Sequence, residues 1–315
     1  MSKFSSTLGF LENAPTYFTR ILLSRFPRRS GLFSFGPKTQ HGAKGSFVSR
    51  LLNRHFVKTT PDLNAQPLRN SLFPGRKPDW YLADRSVRIA MENEDDVRTT
   101  FDIYAMGHYD RINGNARSGS VVWDIGANIG VASLIFAQNP HVIHVYAYEP
   151  LPHTFECAQR TLAANKALSR KISIENEGIG SSELETKLSF ALKAKAAVGI
   201  AGIPDRIKEM YQIKPEDIEE VTIRLSDAAR VLRAIRKHHP DAPILLKMDA
   251  EGAEYGILDR LIEEELLSEI DSAAIEWHNL PGEDYLTSRL RANGFHCQTK
   301  SLEPDGSIGL IDAWR

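Results

Sequence analysis

Cysteine is nearly absent. The chain of 315 residues has two, Cys157 and Cys297, 140 positions apart, and no C-x-x-C pair. That argues against a disulfide framework or a cysteine-built zinc site and fits a reducing compartment. Long hydrophobic runs are missing too. No uninterrupted apolar stretch approaches the roughly 18 residues needed to cross a bilayer, and the first residues lack the compact basic, apolar and small pattern of a secretory signal. Net charge is also almost lacking, at −1, but this is a cancellation. Residues 1–61 carry ten Lys and Arg against Glu12 alone, a surplus of nine, which leaves −10 for the remainder. The two parts therefore suit different partners. The expected location is cytoplasmic, or organellar if residues 1–60 act as a transit peptide.

Residues 1–85 read as a basic, partly irregular extension, with PRRSGLFSFGPK (27–38) and FPGRKPD (73–79) as loop-like chain. Inside it TYFTRILLSRF sets Tyr17, Phe18, Ile21, Leu22 and Phe26 beside Arg20 and Arg25. This is either a short amphipathic helix for an anionic surface or partner, or an arm packed on its own protein. From residue 86 to 315 strands and helices alternate. Strands are expected at 87–91, 120–125, 142–148, 172–176, 244–248, 272–277, 296–300 and 308–313. Helices are expected at 130–138, 153–165, 252–267 and 283–293, with a helix-like approach at 101–112. Val131, Leu134 and Ile135, and likewise Phe155, Ala158 and Leu162, mark buried helical stripes. The rhythm predicts an α/β fold with a doubly wound, mostly parallel seven-stranded sheet. An interruption at 181–243, with strand-like LSFAL (188–192) and VTIRL (221–225), is long enough to cover a site.

Open α/β sheets bind ligands beyond the carboxyl ends of their strands. Four such ends carry polar groups here: Asp124, Glu149, Asp249 with Glu251, and Glu276 with His278. The first belongs to VVWDIGANIG (121–130). A dinucleotide fingerprint wants glycine where Asn128 stands, and a P-loop wants a Gly-Lys-Ser/Thr ending that is missing. Gly126 and Gly130 instead form a tight turn with an acid at its mouth, suited to an amine-bearing ligand. Glu149, 23 residues after Gly126, can accept both hydroxyls of a ribose. An amino acid joined to a nucleoside without phosphate describes S-adenosylmethionine.

Residues 121–315 resemble the FkbM-type S-adenosylmethionine-dependent methyltransferases. The resemblance rests on VVWDIGANIG, YAYEPLPHTFECAQRTLAAN (146–165), ILLKMDAEGAEYGIL (244–258) and IEWH (275–278). It implies a class I methyltransferase fold, Rossmann-like, and methyl transfer to oxygen on a sugar or natural product. Asp124, Gly126, Asn128 and Gly130 would then hold the methionine portion, with Glu149 and Pro150 at the ribose. Gly178 and Ile179, behind Glu177, would flank the adenine.

In-line methyl transfer needs the acceptor oxygen placed and its proton removed. His278 has the reference pKa nearest neutrality and is the expected base, with Glu251 or Glu276 orienting it or serving in its place and Asp249 beside it. The bland alternative for Glu251 is to cap the following helix. Three carboxylates and an imidazole could also hold a hard divalent ion, but the resemblance calls for no metal and none is assigned. Asp227 either closes the site wall or starts a helix. Lys247 is expected to pair with Asp249 as an architectural element. His108 and Tyr109 either fold over the cofactor or simply pack. The expected acceptor is a small-molecule or glycan hydroxyl. Competing readings are an NAD-dependent oxidoreductase and a non-catalytic methyltransferase-like binding module. Nucleic acid is disfavoured by the −10 of the catalytic part and by D-A-E-G where an N/D-P-P-Y/W signature would stand.

Overall fold

The computed structural model describes residues 56–57, 80–84 and 87–315, apart from 196, 197, 200, 201 and 280. The chain divides into two units, Met1–Thr59 and Thr60–Arg315. Of the first, the described part is a two-residue strand, Phe56–Val57. The TYFTRILLSRF run and the PRRSGLFSFGPK and FPGRKPD segments lie outside the described residues.

The second unit begins with an antiparallel pair, β1 (Trp80–Asp84) and β2 (Val87–Met91). Side chains further along the chain meet the backbone of β2. Arg88 donates its amide to Asn165 Oδ1 at 2.8 Å, Ala90 donates its amide to Thr161 Oγ1 at 3.1 Å, and Cys157 donates to Ala90 O. Backbone groups that would be costly to bury unpaired are thereby satisfied. The helix-like approach at 101–112 is broken in two. After α1 (Glu94–Thr100) comes a wide π-helical turn, Phe101–Ala105, then a bend through Gly107 (φ +66°) and the short α2 (Asp110–Gly114). The bend turns Tyr109 inward, where it is buried.

The main sheet contains β3 (Ser120–Ile125), β4 (Val142–Tyr148), β5 (Ile172–Glu175), β9 (Ile244–Met248), β10 (Ser272–His278), β11 (His296–Ser301) and β12 (Ile308–Trp314). Its order is β11-β12-β10-β9-β3-β4-β5. The β5-β4-β3-β9-β10 pairings are parallel, and β12 runs antiparallel to both neighbours. Every residue of β3 and β9 is buried, as expected of central parallel strands covered on both faces. On one face α7 (Ala228–His238), α8 (Glu254–Glu263) and α9 (Glu283–Ala292) pack Val231, Leu232, Ile257, Leu258, Leu261 and Leu286 against Trp123, Leu246, Ile275 and Trp277. On the other, α3 (Val131–Gln138) lies against β3 and β4, with α4 (Pro152–Ala163) and α5 (Lys166–Ser169) beside it. Covered by these helices and by the π turn, α3 is buried nearly all round rather than along one stripe.

Strand order reverses at β3, which lies between β4 and β9, so the turns after β3 and β9 are neighbours at a switch point. Between β5 and β9 stands a second sheet of β6 (Gly178–Gly180), β8 (Glu219–Asp227) and β7 (Leu184–Phe190), in that order. It encloses its own cluster of Leu188, Phe190, Ala194, Val198, Ile207 and Ile223. A short α6 (Asp205–Met210) belongs to the same region. The interruption at 181–243 thus has two parts, because α7 joins the main core.

Candidate functional site

The turn after β3 is tightly specified. Asn128 (φ +51°) and Gly130 (φ +84°) adopt left-handed conformations, and Gly126 (φ +74°) does so with no space above its Cα. A Cβ on Gly126 would fall 1.8 Å from Asp249 O. Every amide of this turn already has an acceptor within the protein. Gly126 and Ala127 donate to Tyr148 O, Asn128 to Glu149 Oε2 at 2.9 Å, Ile129 to Asn128 Oδ1, and Gly130 to Ala127 O. A pyrophosphate binds such a turn through free amides, and residues 126–130 have none to give.

Asp124 lies beneath the turn and is fully buried. Ser133 donates to its Oδ2 at 2.5 Å, and Lys247 Nζ stands 3.3 Å from Oδ1. Lys247 is buried as well and donates to the carbonyls of Ile125 (3.1 Å) and Gly126. Burial opposes its charge, but Asp124 and then Asp249 outweigh that and raise its pKa. The nearer carboxylate partner of Lys247 is therefore Asp124, with Asp249 at 3.8 Å. Sequence spacing pointed to Asp249, two positions on and on the same side, whereas Asp124 is the registered partner of Lys247 on the neighbouring strand. Tyr109 stacks its ring 5.4 Å from Lys247 Nζ and donates to Asp249 Oδ2 at 3.4 Å. Burial, reinforced by Asp249, keeps its phenol protonated.

Glu149 is buried at the end of β4 and accepts one amide on each oxygen, from Asn128 and from Leu151 (3.0 Å). Burial pushes its pKa up to about 7, with the two amides pulling the other way. Each oxygen keeps a second lone pair. Pro150 packs against Gly178, where a Cβ would lie 2.6 Å from Leu225 Cδ2 and 3.2 Å from Pro150 Cβ. The Ile179 side chain belongs to the main core, so it offers a ligand backbone at most. Glu177 accepts from Ser226 Oγ at 2.6 Å.

At the ends of β9 and β10 carboxylates gather around His278. The ring is 4% exposed. Its Nδ1 lies 2.9 Å from Glu254 Oε1, and its Nε2 faces Glu251 Oε2 at 3.6 Å, Glu276 Oε1 at 3.7 Å and Asp249 Oδ1 at 3.9 Å. Glu254, not Glu251 or Glu276, therefore orients the imidazole. Glu254 also accepts the amides of Ala250 (2.8 Å) and Gly252 (2.9 Å), which is the turn-capping work otherwise expected of Glu251. Its signal was the last glutamate of KMDAEGAE (247–254) within the ILLKMDAEGAEYGIL run. Glu251 is left facing the cluster, held in the left-handed region at φ +49° and followed by Gly252 at φ +105°. Such a conformation in a non-glycine residue costs on the order of 1 kcal/mol or more and marks a position fixed by its surroundings. Gly199, from the region of the second sheet, closes over the same turn, since a Cβ there would lie 2.1 Å from Glu251 O.

These surroundings decide the charge of the ring. Burial disfavours a charged imidazole, yet Glu251, Glu254 and Glu276 outweigh it and raise His278 to about 11. Burial in turn raises Glu251 and Glu276, with the imidazolium opposing. The carboxylates favour the protonated ring. Asp227, at the start of α7, accepts the Arg230 amide at 2.8 Å and pairs with Arg260, which makes it a helix cap.

The chain is similar to known methyltransferases. The model of the methyltransferase FkbM domain matches residues 124–297. Methyltransferase sdnD of Sordaria araneosa is 27% identical over 204 residues, covering 59% of this chain and 77% of its own. Methyltransferase 1 of Beauveria bassiana is 26% identical over 188 residues, covering 56% and 72%. Among solved structures, the methyltransferase FkbM of Methylobacillus flagellatus KT aligns with a TM-score of 0.36 at 18% identity, over 62% of this chain and 44% of that one. The alignment thus spans less than half the length of that solved chain.

Proposed function

The chain belongs to the FkbM methyltransferase family, and on that premise we propose that it is an S-adenosylmethionine-dependent O-methyltransferase acting on a hydroxyl of a carbohydrate or glycosylated small molecule. The observation that carries the cofactor assignment is the spent turn. With all amides of residues 126–130 engaged and both Glu149 oxygens holding spare lone pairs, the site suits a ligand that brings donors. S-adenosylmethionine brings ribose hydroxyls and an ammonium, and NAD brings a pyrophosphate. When bound, S-adenosylmethionine supplies a sulfonium methyl for in-line displacement by the acceptor oxygen. Glu149 would take the ribose hydroxyls, and Asp124 would act through the turn that it and Lys247 hold in place.

The base role passes from His278 to Glu251. A ring kept cationic among carboxylates cannot take a proton, but it steadies the oxygen as negative charge develops there. The Glu251 side chain is 25% exposed and has no hydrogen bond among the described residues, so an acceptor hydroxyl can reach it. Glu251→Gln is expected to keep cofactor affinity and lower the methyl-transfer rate by roughly 100- to 10,000-fold. Incubation with radiolabelled S-adenosylmethionine and fractionated lysate identifies the acceptor class for that assay. An active Glu251→Gln protein beside a dead His278→Ala protein would return the base role to the histidine.

A further inference from the structure

We propose that Asp249, Glu276 and His278 form a divalent-cation site, in which Asp249 and Glu276 each give one carboxylate oxygen and His278 gives Nε2. The three ligand atoms lie within 4.8 Å of one another, with His278 Nε2 at 3.9 Å from Asp249 Oδ1 and 3.7 Å from Glu276 Oε1. Atoms that share one cation at about 2.1 Å are separated by roughly 3–4 Å. The carboxylates do not stand alone. The imidazole is almost wholly buried, and its Nε2 points into the cluster, 3.6–3.9 Å from the nearest oxygens of Asp249, Glu251 and Glu276 and so beyond hydrogen-bonding distance of these three carboxylates. On the other side of the ring Nδ1 is tied to buried Glu254. That carboxylate–imidazole contact keeps a proton on Nδ1 and turns Nε2 into the cluster, as the outer partner of a metal-bound histidine does, so an ion bound there would displace the Nε2 proton.

Charge points the same way. Asp249, Glu251, Glu254 and Glu276 crowd the ring, and the lysine in contact with them, Lys247, is committed to Asp124 and two carbonyls. Another acid cluster, Glu92 and Asp96 with Cys157, shows the contrast. Lys195 sits 3.1 Å from Asp96 and 3.3 Å from Glu92, and Arg160 pairs with Glu92, so cations of the protein already fill it. At His278 the ring's own proton is the charge in contact, and a cation can take its place. One imidazole with two carboxylates suits an ion of intermediate hardness such as Mn²⁺.

The proposed role rests on the methyltransferase reading: the ion would receive the acceptor's hydroxyl oxygen beside Glu251, which is not a ligand and remains free to take the proton. The binding itself does not rest on it. The test is titration of chelator-treated full-length protein with Mn²⁺, followed by the electron paramagnetic resonance signal of the free ion, without cofactor or acceptor. One ion per chain is expected, with affinity weakened at least tenfold in Asp249→Asn and in Glu276→Gln. Calorimetric binding of S-adenosylmethionine to each variant checks that it is folded. A wild-type protein that binds S-adenosylmethionine but no Mn²⁺ up to millimolar concentration would overturn the proposal, as would Mn²⁺ affinity unchanged in both variants. Mn²⁺ bound at this site by a protein with no affinity for S-adenosylmethionine would support the site and overturn the methyltransferase reading.

Discussion

Glu149→Gln separates affinity from stability in a way that follows from where the two oxygens point. The carboxylate accepts the Asn128 amide on one oxygen and the Leu151 amide on the other. A glutamine has a single oxygen, so in either flip its NH₂ group faces a backbone N–H. One buried amide then loses its partner, at about 1–3 kcal/mol. At roughly 2–4 °C per kcal/mol for a domain of this size, the melting temperature should fall by about 2–12 °C. The ribose hydroxyls lose a charged acceptor besides, for on the order of 2–4 kcal/mol of binding, or roughly 30- to 1000-fold in Kd. The wild-type protein adds a pH signature. Because burial raises Glu149 to about 7, between its unfolded value near 4.5 and 7 the folded protein holds a proton that the unfolded chain has released. This contribution is fully present below about 4.5 and is lost as pH rises through 7, a change of about 3 kcal/mol at most. Cofactor binding runs the opposite way, since hydroxyl donors need the ionised acid. Affinity should rise up to tenfold per pH unit and level off above about 7, and the rise should vanish in Glu149→Gln. Calorimetry across pH 5.5–8.5 with melting curves reads both. A Glu149→Gln protein with Kd within threefold of wild type and an unchanged melting temperature would refute the reasoning.

Two other outcomes are expected. Lys247→Met should destabilise the protein by roughly 3–5 kcal/mol, because it strands the buried Asp124 carboxylate, and Asp124→Asn in the same chain should recover part of that loss in urea unfolding. A chain beginning near Asn70 should keep its S-adenosylmethionine affinity within twofold and lose any co-sedimentation with anionic vesicles, since the nine surplus positive charges go with the removed segment; loss of cofactor affinity with the fold intact would place that segment in the catalytic unit.

Most of the frame was legible in the sequence, because central parallel strands are apolar runs that end abruptly in polar residues. β9 is found where ILLKM predicts it, and β10 exceeds its expected range by His278 alone. The turn of Gly126 and Gly130 was legible for the same reason, since glycine spacing reports positive φ directly. What failed was the division of labour within D-A-E-G-A-E. Two glutamates three apart near a helix start look interchangeable as letters. A left-handed Glu251 turns one toward Nε2 of His278, and the helical turn sends Glu254 to Nδ1 and two amides. The Asp124–Lys247 pair depends on β3 and β9 being neighbours, which 122 intervening residues hide from any local pattern. Tyr109 stood out in the sequence as a residue that either covers the cofactor or packs, but its contacts with Asp249 and Lys247 were hidden, because they follow from a bend at Gly107 that interrupts an apparently helical segment.

The contact between Gly126 and Asp249 has a mechanical consequence. There is no room for a methyl group between the turn proposed to carry the methyl donor and the strand end proposed to carry the acceptor, and the ammonium of Lys247 bridges the same two segments. Donor and acceptor carriers therefore behave as one stiff bracket. In-line displacement tolerates little more than a few tenths of an ångström of misplacement, and a bracket without slack holds that tolerance through thermal motion. Adaptation to a new acceptor is then expected to fall on the Gly199 side, whose chain touches the bracket from outside, and to leave the bracket itself unchanged.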